Sequence, residues 1–203
     1  SRWWKRFLAD GWLAWLPLCN HLQIAKEQDR GLTVYERLAA SPGLSRITSM
    51  EIAGGIDPLM ERGMAVLSKS PHSRHLGSLQ LGFGIPSEQV HELLGAWYSE
   101  KLETLVISGY VEGAEVVPGI IADREASRHL RSLALHYSHS DAHIGASEEE
   151  KLELGRTYEP LARSPHLRGL EELSFVGEEL TARQLEVFAR EGVFEHILSL
   201  RLE

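Results

Sequence analysis

The chain has 203 residues, enough for one large domain or two small ones, with 43% hydrophobic and 25% charged residues as in an ordinary globular protein. A net charge of −8 argues against the basic face that nucleic-acid binders need, and no run approaches the roughly 18 apolar residues of a membrane span. The single cysteine, Cys19, leaves no disulfide framework and no CxxC pair, which fits a reducing, cytoplasmic setting.

Residues 1–18 begin with "SRWWKRFLADGWLAWL", which concentrates four tryptophans with Arg2, Lys5 and Arg6. A basic aromatic helix of this kind can lie on a membrane surface. The stronger reading comes from Phe7-Leu8-Ala9-Asp10-Gly11, which echoes Phe188-Ala189-Arg190-Glu191-Gly192 at the end of a helix near the C-terminus. The segment then reads as an N-terminal helix or the remnant of a preceding repeat. No membrane partner is expected. Starting at Ser1 rather than a methionine, the chain reads as a piece of a larger protein.

From residue 19 onward one phrase recurs: apolar, two others, apolar, one other, apolar. It appears as Cys19/Leu22/Ile24, Ile47/Met50/Ile52, Leu76/Leu79/Leu81 and Leu102/Leu105/Ile107, then Leu130/Leu133/Leu135, Leu170/Leu173/Phe175 and Ile197/Leu200/Leu202. First positions lie 28, 29, 26, 28, 40 and 27 residues apart, and this near-constant period decides the fold. The end of each phrase alternates apolar with polar or small residues, the period-2 pattern of a half-buried strand. Helical segments lie between phrases, for example Ser87–Tyr98, with Val90, Leu93, Leu94 and Trp97 on one face. Ala40-Ser41-Pro42, Lys69-Ser70-Pro71 and Arg163-Ser164-Pro165 each precede a phrase, and proline serves there as the helix stop.

A unit of one strand and one helix cannot bury its own apolar face, so the units must stack. The sequence therefore predicts an α/β solenoid over 19–203 of about seven strand–helix units, with a parallel sheet lining the concave side. An ordinary doubly wound α/β domain is the alternative, which the constant period disfavours.

The phrases resemble leucine-rich repeats of the long, ribonuclease-inhibitor-like class. The resemblance runs from Cys19 to Leu202, and "LARSPHLRGLEELSFVGEEL" (Leu161 to Leu180) is its clearest copy, similar to repeats of large bacterial proteins of the planctomycete and myxobacterial repeat-companion type. It implies a horseshoe arc. The chain departs from the family at the turn after each strand, where asparagine is usual and Glu27, Gly55, Gly84, Tyr110, Ser138 and Glu178 stand instead. Without an asparagine ladder, the turns must satisfy their backbone groups in some other way.

Alternation places the third, fifth and seventh residues of each phrase on the concave surface. That surface is small and weakly polar, without the lysines, arginines or stacked aromatics a nucleic acid requires. Gln23, Glu51, Gln80, His136 and Arg201 are its candidate partner-binding residues. The 40-residue interval holds an insertion of roughly 12 residues, around 138–152, relative to the repeat lengths usual for the class. The interval carries His136, His139, Asp141 and His143 before the run Glu148-Glu149-Glu150. These residues are candidates for the same partner site, or for a metal site built on imidazole and carboxylate ligands. The competing reading is a polar loop entering a helix whose N-terminus favours the carboxylates.

No GxSxG elbow, GxxxxGK[ST] loop or HExxH helix occurs, and no catalytic residue or cofactor is expected. The expected function is a non-catalytic protein-interaction scaffold with a protein partner. The alternatives are a structural spacer array and a metal-binding module centred on the histidines.

Overall fold

The computed structural model describes residues 21–25, 32–53, 58–82, 87–95, 101–109, 116–137, 158–176, 182–192 and 195–202. The leading segment 1–18, Cys19, the insertion around 138–152 and all six turn positions that lack asparagine lie outside the described residues.

Each phrase becomes a strand where the alternation predicts one: β1 (His21–Ala25), β2 (Ser49–Ala53), β3 (Ser78–Gly82), β4 (Thr104–Gly109), β5 (Ser132–Tyr137), β6 (Glu172–Val176) and β7 (Ser199–Leu202). They form one sheet in strict sequence order, every neighbouring pair parallel. A doubly wound sheet reverses its strand order at a switch point, so this order excludes that alternative. The helices are α1 (Leu32–Ala40), α2 (Pro58–Ser68), α3 (Ser87–Leu94), α4 (Val117–Asp123), α5 (Glu159–Arg163) and α6 (Ala182–Arg190). They pack on one another in the same order as the strands, giving a second layer over the sheet.

The core lies between these layers. The three apolar positions of the phrases from Ile47 to Phe175 are at most 4% exposed. From the helices, Leu38, Leu67, Val90, Leu94, Val117, Ile121, Leu161 and Phe188 close over them. Each such side chain stabilises the fold by about 1.5–3 kcal/mol, so the phrase positions carry the architecture. At the C-terminal end aromatic packing takes over: Tyr158 meets Phe175 edge-on with centroids 4.9 Å apart, and Phe175 lies 6.0 Å from Phe188. β7 differs from β2–β6, since Leu200 and Leu202 are 41% and 44% exposed where their counterparts in those strands are buried.

Helix packing has local rules of its own. The ring of Tyr35 in α1 sits directly on Gly63 of α2, where a Cβ would overlap it. Only a glycine permits that approach. Helix α6 ends as its sequence suggests, with Gly192 at φ +72 in the left-handed region that closes helices. Helix α3 is shorter than the apolar spacing over Ser87–Tyr98 implies. It ends at Leu94, after which the Gly95 amide donates to the carbonyls of His91 and Glu92, and Trp97 lies outside the described residues.

The serine–proline pairs also do more than stop helices. Pro42 and Pro71 each open a short 3-10 turn (Pro42–Arg46 and Pro71–Ser73), and the preceding serine is its N-cap. The Ser41 and Ser70 hydroxyls accept the amides of Gly43 and His72, and Ser164 accepts that of His166. Among the described residues, two of these hydroxyls reach into the preceding unit as well. Ser70 donates to the Ala39 carbonyl at 2.5 Å, and Ser164 to that of Ala122 at 2.6 Å. In the fifth unit Arg124 stands in place of the capping serine, yet a turn still forms over Glu125–His129. There Ser127 ties the turn down by donating to the Ile121 carbonyl at 2.6 Å.

Candidate functional site

The sheet face opposite the helices is built from three columns whose register repeats from strand to strand. The third-position column runs His21, Ser49, Ser78, Thr104, Ser132, Glu172, Ser199. The fifth runs Gln23, Glu51, Gln80, Val106, Ala134, Ser174, Arg201. The seventh runs Ala25, Ala53, Gly82, Ser108, His136, Val176. These are the residues that alternation assigns to one surface. Parallel pairing sets neighbours in a column about 4.8 Å apart, close enough to link.

Several do link. Gln23 Nε2 donates to Glu51 Oε1 at 3.0 Å, and His21 Nδ1 lies 3.0 Å from Ser49 Oγ. His136 Nε2 lies 3.0 Å from Ser174 Oγ, which joins the seventh column to the fifth diagonally. The Ser108 hydroxyl donates to the Leu81 carbonyl at 3.3 Å. Side chains shorten midway, at Val106 and the buried Ala134, between exposed Gln80 and exposed Arg201. The face thus has a shallow centre with polar side chains on either side.

Of the residues singled out from the sequence, Gln23, Glu51 and Gln80 occupy three successive rungs of one column. His136 belongs to the same face, while Arg201 stands four rungs beyond Gln80, roughly 19 Å along the sheet at the usual strand spacing. His139, Asp141 and His143 lie outside the described residues. Among the described residues no group of three or more histidine, cysteine, aspartate or glutamate side chains is placed to hold a metal ion. No described helix is long and apolar enough to cross a membrane.

The sequence reading missed how the units are joined at the edge where helices lead into strands. One carbonyl per unit, at the second phrase position, accepts two successive amides of the next unit. Thr48 accepts from Gly77 and Ser78, Gly77 from Glu103 and Thr104, and Glu103 from Arg131 and Ser132. Arg131 accepts from Glu171 and Glu172, and Glu171 from Leu198 and Ser199. These backbone rungs satisfy the entering strands without any side chain, so no sequence signal marks them.

No protein-family model matches this chain, and no curated protein matches its sequence.

Proposed function

We propose that this chain is a non-catalytic protein-interaction module, a leucine-rich-repeat solenoid of the ribonuclease-inhibitor-like class. In this reading the sheet is the concave lining of a horseshoe arc, the module is part of a larger cytoplasmic protein, and the exposed sheet face receives a protein partner. The observation that carries it is the continuity of that face. Three registered columns run unbroken across the strands, and apart from Gly82 and Ala134 their residues whose burial is described are exposed or half-buried. Cross-strand links such as Gln23–Glu51 hold parts of the surface in one arrangement before binding, which lowers the ordering cost of association.

The test is site-directed photocrosslinking in the native source. A crosslinking residue at Gln80 or Val106 on the sheet face is compared with one at Glu92 or Glu186 on the exposed helix surface. A discrete adduct formed from the face and not from the helices supports the reading. Adducts from neither surface, or equally from both, refute it and favour a spacer array.

A further inference from the structure

Among the described residues four large hydrophobic side chains are exposed, and three of them, Leu198, Leu200 and Leu202, belong to one strand and the residue before it. That strand, β7, is the last of the sheet and pairs with β6 along one side. The Ser199 amide donates to the Glu171 carbonyl on the β6 side. Backbone groups alternate in direction along a strand, so the N–H and C=O of Leu200 point to the opposite, open edge.

Leu198 sets this edge apart. Its counterparts at the second phrase position are Thr48, Gly77, Glu103, Arg131 and Glu171, all exposed or half-buried although a further unit is joined to each. Exposure is thus usual at that position, and leucine is not. At 83% exposed, Leu198 extends the apolar edge to a place where the other described units put polar side chains or glycine. The stretch 198–202 contains no proline to block pairing, and its one charge, Arg201, stands in a sheet-face column.

We propose that β7 pairs antiparallel with β7 of a second copy of this chain, giving a two-fold dimer with one continuous sheet. The pattern of the edge selects this occupant. Leucine stands at every second position from Leu198 to Leu202, so the apolar positions are symmetrical about Leu200. Two copies of one edge related by a two-fold axis meet antiparallel. A register centred on Leu200 then sets Leu200 against its own mate and Leu198 against the second copy's Leu202. The outward N–H and C=O of Leu200 meet the same groups of the mate, as a hydrogen-bonded antiparallel pair requires. Like charges stay apart as well: Arg201 of each copy faces Ser199 of the other, and the next residue in that column is the exposed Glu172. A head-to-tail stack through β1 lacks this match, because it sets Asn20 opposite Leu198. The pairing leaves the sheet face open and holds whether or not that face binds a partner.

The experiment is sedimentation velocity of the whole chain in a concentration series up to about 100 μM, where small interfaces assemble. A monomer–dimer equilibrium is expected. Leu198→Glu weakens it by about tenfold or more, while Val116→Glu, at the fourth exposed hydrophobic, changes it by less than about twofold. Far-UV circular dichroism checks that both variants are folded. A cysteine then reads the geometry, in a chain carrying Cys19→Ser. Leu200→Cys oxidises to a covalent dimer, since a hydrogen-bonded antiparallel pair sets its Cα atoms about 5.5 Å apart, within disulfide reach. Leu22→Cys in β1 does not. A monomer at every concentration, equal losses in the two glutamate variants, or assemblies beyond a dimer without the Leu200→Cys cross-link, as head-to-tail stacking would give, each overturns the proposal.

Discussion

Removing the hydroxyl of Ser70 tests the joint between the second and third units. Ser70 is 3% exposed, and its hydroxyl serves two backbone groups at once. It accepts the His72 amide at the start of the turn and donates to the Ala39 carbonyl in the last turn of α1. Ser70→Ala loses an N-cap, worth about 1 kcal/mol. It also strips a buried helix-end carbonyl of its partner, at a further 1–3 kcal/mol or so. The expected total is about 2–4 kcal/mol.

The same motif supplies its own control. Ser41 is half-buried, and among the described residues its hydroxyl makes one bond, accepting the Gly43 amide at 3.3 Å, so Ser41→Ala should cost about 0.5–1 kcal/mol. Ser164, half-buried but bonded to Ala122 as Ser70 is to Ala39, should fall between them. Urea unfolding followed by far-UV circular dichroism gives the ranking. Hydrogen exchange locates the damage, because a weakened joint in a stacked fold exposes the units on either side of it first. Ser70→Ala should therefore speed exchange in α1 and leave α6 unchanged. Equal destabilisation by Ser41→Ala and Ser70→Ala, or uniform loss of protection, would refute the assignment of the Ser70 hydroxyl as an inter-unit tie.

Two further outcomes follow from packing. Gly63→Ala gains about 1 kcal/mol of helix propensity but drives a methyl into the Tyr35 ring, and overpacking of this kind costs about 1–3 kcal/mol. It should lower the urea midpoint, whereas Gly119→Ala in α4, with nothing within 4 Å of the added Cβ, should raise it. Leu105→Ala, at a fully buried phrase position, should cost about 2–5 kcal/mol. Leu200→Ala, at the equivalent register but 41% exposed, should cost under about half as much, and a similar midpoint loss for both would contradict the burial of the phrase.

The strands were legible because the core demands apolar residues at the same three places in every unit. A demand repeated that often leaves a mark composition cannot hide. The face columns were legible for the same reason, since alternation leaves no choice about where Gln23, Glu51 and Gln80 go. The serine–proline pairs were visible too, but proline's effect is local and serine's is not. The hydroxyl of Ser70 finds its acceptor 31 residues back and that of Ser164 finds its own 42 back, beyond any helix or turn signal. The end of α3 was overrun because apolar spacing continues past Gly95, and the spacing of side chains says nothing about where backbone bonds stop.

The fifth unit shows which of these features the fold depends on. It lacks the serine–proline pair, and Arg124 stands at the capping position with its guanidinium on His91 of α3. The turn nonetheless forms, and its buried tie comes from Ser127 three residues later. When units are aligned on their first apolar residue, Ser127 coincides with Ser73, whose hydroxyl likewise bonds a backbone carbonyl. What is common to the turns is thus a buried side chain that closes the turn against the core: Leu44 and Leu167 by packing, Ser73 and Ser127 by hydrogen bonding. Stability resides there, in the phrase positions and in the backbone rungs. The exposed columns contribute little to it, since a surface bond such as Gln23–Glu51 is worth about 1 kcal/mol at most. Substitutions on the face can therefore be read as effects on binding, because the elements that hold the chain together lie elsewhere.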